Sequence, residues 1–80
     1  MNEEKIRKYP LRMAVRYFKQ MKELEQEIEK ADIRKLEALL LKLDIIEITL
    51  NYWVSKIPEN FLEEYIRITS EIEEKYEKMR

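Results

Sequence analysis

The stretch from Asp32 to Ile57 constrains the fold most, because as an α-helix it is apolar on two opposite sides. At about 100° per residue, its broader side consists of Ile33, Leu36, Leu39, Leu40, Leu43, Ile46, Leu50, Trp53, Val54 and Ile57. This side is wide enough to pack against two other helices at once. The opposite side carries a narrow stripe of Leu41, Ile45, Ile48 and Tyr52. Since a helix that is apolar all round is normally buried in something larger, the stretch predicts a helical bundle with apolar surface left over.

A first helix is predicted ahead of this stretch. Pro10 suits the first position of a helix, where its missing N–H has no hydrogen bond to lose, and apolar residues then recur at helical spacing as far as Ile28. We therefore expect the first helix at about residues 10–30. Residues 1–9 are expected to form a frayed turn ahead of it, with Asn2 as a cap.

The boundary between the first and second helices contains no Gly or Pro. Asp32 is a suitable N-cap for a second helix, and residues 30–32 are long enough for a short antiparallel connection. The apolar positions also stay in phase if the chain continues as a single helix from Pro10 to Ile57, about 70 Å long. We predict the break, because that single helix would far exceed the usual length of about 12 residues.

The third helix follows a firm boundary at Ile57-Pro58, where proline disfavours helical backbone in the residue before it. Its start is predicted either at Pro58 or at a capping box formed by Asn60 and Glu63. The apolar seam of this helix consists of Leu62, Tyr65, Thr69, Ile72, Tyr76 and Met79.

The predicted fold class is all-α, an up-down-up three-helix bundle in a single domain of residues 1–80. The second helix, at about residues 32–57, is expected to be the long spine of the bundle. The third helix is expected at about residues 59–79. Leu43, Ile46, Leu50 and Trp53 of the second helix are the expected core residues.

Reactive groups are scarce in this composition. The sequence contains no Cys, His or Gly, which excludes disulfides, thiolate and imidazole metal ligands, and glycine-rich phosphate loops. Ser55 and Ser70 have no His to act as a general base. We therefore predict that the chain is not an enzyme and has no catalytic residues, no metal site, no cofactor and no small-molecule substrate.

Charged residues make up 41% of the chain. Nearly all of them are Lys, Arg and Glu, a composition typical of proteins from hyperthermophiles. No apolar run approaches the ~20 residues that a membrane-spanning helix needs, and the N-terminus lacks the apolar core of a signal peptide. The expected location is the cytoplasm, away from membranes.

The formal net charge of −1 conceals a strong asymmetry, because residues 1–22 are basic and residues 23–80 are acidic. Six basic residues in the first segment form a candidate nucleic-acid-binding site, Lys5, Arg7, Lys8, Arg12, Arg16 and Lys19. Such cations bind phosphates, and Tyr9 and Tyr17 are candidates for stacking on bases or for covering the core. The alternative interpretation of these residues is a solvated, positively charged face.

The narrow stripe has three interpretations. Residues 1–9, with Ile6 and Tyr9, would cover it if they folded back across the second helix. The first and third helices would cover it if they splayed apart. The third interpretation, which we favour, is a partner: a second copy of the chain or another protein, bound by helix-in-groove or four-helix packing. The predicted function is thus a non-catalytic helical protein–protein interaction module or small subunit of a larger assembly, with a nucleic-acid-binding accessory protein as the alternative.

Overall fold

A computed structural model describes residues 3–79, which form three α-helices and no strand. Helix α1 spans Glu3–Lys30, α2 spans Ile33–Lys56 and α3 spans Leu62–Lys78. A short 3₁₀ turn, Glu59–Phe61, precedes α3. The predicted all-α three-helix bundle is confirmed.

Contacts near the start of α1 show how the helices are oriented. Tyr9 of α1 stacks on Trp53 near the end of α2, with ring centroids 5.6 Å apart, so these two helices are antiparallel. Lys8 of α1 pairs with Glu64 near the start of α3, Nζ to Oε2 at 3.7 Å, so α1 and α3 run in the same direction. The order of the helices is therefore up-down-up.

The break between α1 and α2 lies at the predicted place. Asp32 has extended backbone, φ −79° and ψ 169°, and caps α2. Its Oδ1 accepts hydrogen bonds from the backbone N–H groups of Arg34 at 3.0 Å and of Lys35 at 3.2 Å. These bonds satisfy donors that the first turn of a helix leaves without partners. One side chain thus ends the continuous helix without help from Gly or Pro.

The start of α1 differs from the prediction. The helix is already formed at Glu3, and Pro10 lies inside it rather than at its first position. The expected frayed turn is therefore wrong for residues 3–9, while its cap, Asn2, lies outside the described residues. An interior proline leaves the carbonyl of Ile6 without its helical N–H partner, at a cost of about 3 kcal/mol.

Contacts with the other helices offset this cost. The rings of Tyr9 and Trp53 lie nearly parallel, 13° apart. The guanidinium carbon of Arg7 and the ammonium of Lys8 lie 5.9 Å and 5.4 Å from the ring centroid of Phe61, within cation–π distance. Tertiary packing therefore overrides the local preference of proline.

The connection from α2 to α3 combines a confirmed boundary with a wrong cap. Ile57 has extended backbone, φ −69° and ψ 126°, ahead of Pro58, as expected for a residue that precedes proline. The capping box expected at Asn60 does not form, because the N-cap of α3 is Phe61, without a side-chain hydrogen bond. Asn60 instead uses its Oδ1 to accept a hydrogen bond from Arg7 at 3.4 Å. The side chain of Asn60 in the 3₁₀ turn thus binds α1 through Arg7 and does not cap α3.

The core lies at the end of the bundle where α2 turns towards α3. Its buried residues are Leu11, Ala14, Leu50 and Ile57. Side chains from all three helices and the 3₁₀ turn pack around them, namely Val15, Tyr17, Phe18, Met21, Trp53, Val54, Phe61, Leu62 and Tyr65.

The central helix of the bundle is α1, not the predicted spine α2. Helix α1 packs against both α2 and α3, which have little contact with each other. It is also longer, with 28 residues against 24, because it continues through Pro10. Only one helix packs along the broad side of α2, so Leu50 is buried there whereas Leu43, Ile46 and Trp53 are half-buried. Ile33, at the open end of this side, is 85% exposed.

Candidate functional site

The narrow stripe lies on the surface of α2 that faces away from the core. Leu41, Ile45, Ile48 and Tyr52 are 60%, 64%, 70% and 54% exposed. Their spacing of four, three and four residues places them in one line along the helix. Leu50 on the opposite side is 7% exposed. The four predicted partner-binding residues are therefore together, and they do not belong to the core.

Within residues 3–79, neither of the two alternative coverings of the stripe occurs. Residues 3–9 belong to α1 and do not cross α2, and the ring of Tyr9 lies on Trp53. Tyr52 and Trp53 pack edge to face, with ring centroids 5.1 Å apart and planes at 79°. Tyr9 therefore extends the aromatic contact at one end of the stripe and leaves Ile45 and Ile48 uncovered.

The two flanks of the stripe differ in charge. One flank carries Glu37, Asp44 and Asn51, and the other carries Lys42, Thr49 and Lys56, while Ala38 and Ser55 continue the line of the stripe at its two ends. The hydroxyls of Ser55 and Thr49 donate to backbone carbonyls of their own helix, at 2.6 Å and 2.9 Å. Among residues 3–79, Glu37, Asp44 and Lys42 form no ion pair within 4.0 Å. Each charged flank can therefore pair with an outside group.

A second surface feature lies on the N-terminal half of α1. A shallow groove of about 600 Å³ is lined by Lys5, Ile6, Tyr9, Arg12, Met13 and Arg16. Its apolar residues follow a spacing of three and four, which places them on one face once the helix continues through Pro10. Because the first helix is expected from the sequence to start at Pro10, Ile6 is not identified there as a residue of this groove. The spacing of Ile6 to Tyr9 and Met13 would have indicated it.

Three of the six predicted basic residues surround this groove. Lys5, Arg12 and Arg16 form no ion pair within 4.0 Å among residues 3–79. The other three face α3. Arg7 and Lys8 are engaged with the 3₁₀ turn and α3, and Lys19 lines a separate, partly acidic groove between α1 and α3. The predicted basic site is therefore divided between two surfaces.

An ionic cluster joins the middle of α1 to α3. The ammonium of Lys22 lies 3.1 Å from a carboxylate oxygen of Glu73 and 3.5 Å from one of Glu25. Burial alone would lower the pKa of Lys22, but the hydrogen bond to Glu73 and both carboxylate charges outweigh it and raise that pKa. The cluster therefore holds a charged lysine between two helices.

Two tyrosines of α3 are also shifted in their pKa. Burial raises the pKa of Tyr65. Burial also raises the pKa of Tyr76, and the charge of Glu23, which accepts a hydrogen bond from the Tyr76 hydroxyl at 3.4 Å, adds to that shift. Each phenol therefore keeps its proton to a higher pH than a free tyrosine does.

Two other kinds of site are absent from the described part of the chain. No group of three or more acidic side chains in residues 3–79 is arranged to hold a metal ion. None of the helices in that range has the length and apolar character needed to cross a membrane. Comparisons with protein-family models, curated proteins and solved structures find no match to the chain.

Proposed function

We propose that this chain is a non-catalytic helical protein–protein interaction module, a small subunit of a larger assembly, and that it docks through the narrow stripe on α2. The observation that carries the proposal is the line of four large apolar side chains, each more than half exposed, on the side of α2 away from the core. Together they present a few hundred Å² of apolar surface, comparable to the largest patch on a typical monomer.

Composition supports a docking role for this patch. The chain has 41% charged residues and would have no difficulty in placing polar side chains on a solvated face. Four apolar side chains in line on the face of α2 away from the core would favour aggregation if nothing covered them. The absence of His and Cys is consistent with a non-catalytic role. The cytoplasmic location and the lack of a small-molecule substrate remain predictions.

The test is a paired substitution in the stripe, Ile45→Asp with Ile48→Lys. Its matched control is Ile66→Asp with Met79→Lys, which changes two similarly exposed apolar residues of α3 and its end by the same charges. The measurements are helix content, melting temperature, and native size, both of the purified chain and of the chain in extracts of cells that express it.

We expect the stripe variant to keep its helix content and to lose association, while the control keeps both. If the stripe variant unfolds, the stripe belongs to the protein's own core and the proposal is wrong. An unchanged native size in a folded stripe variant would equally contradict it.

A second candidate function, nucleic-acid binding, is favoured by the groove on α1. Three cations without carboxylate partners, Lys5, Arg12 and Arg16, surround an exposed aromatic ring, Tyr9. Cations of this kind bind phosphates, and an aromatic ring between them offers a stacking surface for a base. The acidic remainder of the chain opposes such binding, so the groove ranks below the stripe.

The second candidate is tested by titrating a single-stranded oligonucleotide at about 50 mM salt, where electrostatic binding is strongest. Arg12→Glu with Arg16→Glu should abolish binding, while Lys75→Glu with Lys78→Glu, an equal charge change on α3, should weaken it far less. Three phosphate contacts give a slope of log K against log salt of about −2 to −3. No binding at low salt removes this candidate.

A further inference from the structure

We infer that the narrow stripe binds a second copy of this chain, with the two α2 helices packed side by side in parallel. The inference rests on the proposed function and names the occupant of the docking surface. It follows from the positions of charges on the two flanks of the stripe.

The stripe has the spacing of a coiled-coil seam. Its residues alternate steps of four and three, so Ile45 and Tyr52 occupy a positions of a heptad while Leu41 and Ile48 occupy d positions. The next seam positions on either side are Ala38 and Ser55, which are small and exposed. The seam thus has an apolar centre of four residues, and neither end blocks the close approach of another helix.

The flanks of the seam then occupy the e and g positions, which set orientation in coiled coils. Glu37 and Asp44 are at g, whereas Lys42 and Lys56 are at e. In a parallel pair, each g residue lies beside the e residue five places further along the other helix. Glu37 of each copy therefore meets Lys42 of the other, and the twofold symmetry forms this ion pair twice.

An antiparallel pair would bring like flanks together. In that arrangement g positions face g positions and e positions face e positions, so Glu37 and Asp44 meet acidic or neutral residues and Lys42 meets Lys or Thr. The carboxylate of Glu37 then has no lysine beside it when the two stripes are aligned centre to centre. Charge complementarity consequently selects the parallel pair of identical helices.

The other helices of the bundle do not obstruct the pairing of two α2 helices. Helix α1 packs on the opposite side of α2, and α3 packs on α1, so neither lies beside the stripe. Two copies of the stripe with their flanks would bury on the order of 1,000 Å² in total, the lower limit for a specific interface. A contact at the lower end of the size range of specific interfaces is expected to be reversible, so the proportion of dimer should rise with protein concentration.

Charge reversal tests the pairing of the flanks. Glu37→Lys alone and Lys42→Glu alone each place like charges together twice, and each should weaken the dimer by about 3- to 30-fold. Both substitutions in one chain restore opposite charges across the interface and should restore the wild-type dissociation constant. Lys75→Glu, the same charge change as Lys42→Glu but on exposed α3, is the control and should leave dimerisation unchanged. Failure of the double variant to recover would contradict the proposed register.

Orientation is tested with single cysteines, which report cleanly because the natural sequence has none. In the parallel dimer, Ser55→Cys places two thiols across the seam, and mild oxidation should give a disulfide-linked dimer. Ser70→Cys on exposed α3 is the control and should form no disulfide-linked dimer under the same conditions. A disulfide that forms only when Ala38→Cys is mixed with Ser55→Cys would show an antiparallel pair and overturn the inference.

Sedimentation of the unmodified chain over a range of concentrations separates the two proposals. A concentration-dependent dimer that Ile45→Asp with Ile48→Lys abolishes supports both of them. A chain that is monomeric at all concentrations overturns the second copy as the occupant. In that case the proposed function is supported if the same stripe variant changes the native size of the chain in cell extracts. If that size is unchanged, the proposed function is wrong as well.

Discussion

Replacing Tyr9 by Ala tests whether the helix before Pro10 is held by packing on α2. Tyr9 is 46% exposed, so about half of its side chain, on the order of 100 Å², is buried. At about 25 cal/mol per Å² this burial contributes roughly 2 kcal/mol, and the ring stack with Trp53 adds about 0.5–1.5 kcal/mol. Part of this area is already buried in the unfolded chain. We therefore expect Tyr9→Ala to lower the free energy of unfolding by about 2–3 kcal/mol.

The assay is urea denaturation at one fixed protein concentration, followed by circular dichroism and by the fluorescence of Trp53, the only tryptophan. Tyr9→Phe keeps the ring and is the matched control, with stability expected close to that of the wild type. Because Tyr9 covers one face of the indole, its loss should also shift the emission of Trp53 to longer wavelength. If Tyr9→Ala matches the wild type in both midpoint and emission, residues 3–9 are not docked on α2 and the reasoning is wrong.

Three further predictions concern stability. Leu50→Ala should lower the free energy of unfolding by about 2–5 kcal/mol, because it opens a cavity in the core; a loss below 1 kcal/mol, by urea denaturation, would contradict that burial. Asp32→Ala should cost about 1 kcal/mol through loss of the N-cap, whereas Asp32→Asn, which retains a cap, should melt near the wild-type temperature. Folding raises the pKa of Lys22 and of Tyr65 above their ordinary values of 10.5 and 10.0, so protonation of these groups favours the folded state. This contribution to the free energy of unfolding is complete below the ordinary pKa and is lost as the pH rises through the raised pKa. Urea midpoints measured from pH 8 to 12 should therefore fall, and Tyr65→Phe should fall less; parallel curves would contradict the role of Tyr65.

The helices and their breaks follow from local chemistry that is visible in the sequence. Asp32 caps a helix through its own carboxylate, and Pro58 disfavours helix in the residue before it, so neither signal depends on distant residues. Pro10 is different, because its usual place at a helix start is overridden by contacts of Tyr9 with Trp53, far away in sequence. No local pattern contains that contact, and the length and central position of α1 follow from it.

The same distinction applies to the two surfaces. Periodicity alone placed Ile45 and Ile48 on the face of α2 opposite the core, and the structure confirms their exposure. Periodicity did not divide the basic residues, because Arg7 and Lys8 are drawn towards the 3₁₀ turn by Phe61 and Asn60. That division depends on where α3 begins relative to α1.

The central position of α1 makes α3 a separable unit of the fold. Helix α3 has little contact with α2, has Thr69 as its one almost fully buried residue, and is joined to α1 partly through exposed ionic and hydrogen-bonding groups. Its opening leaves the antiparallel α1–α2 pair largely intact, and such partial opening requires less free energy than global unfolding. Amide hydrogens of α3 should accordingly exchange with deuterium sooner than those of α2 around Leu50. The surface of α1 that this opening uncovers would then be available to a different helix, which gives the chain a route to exchanging segments between copies.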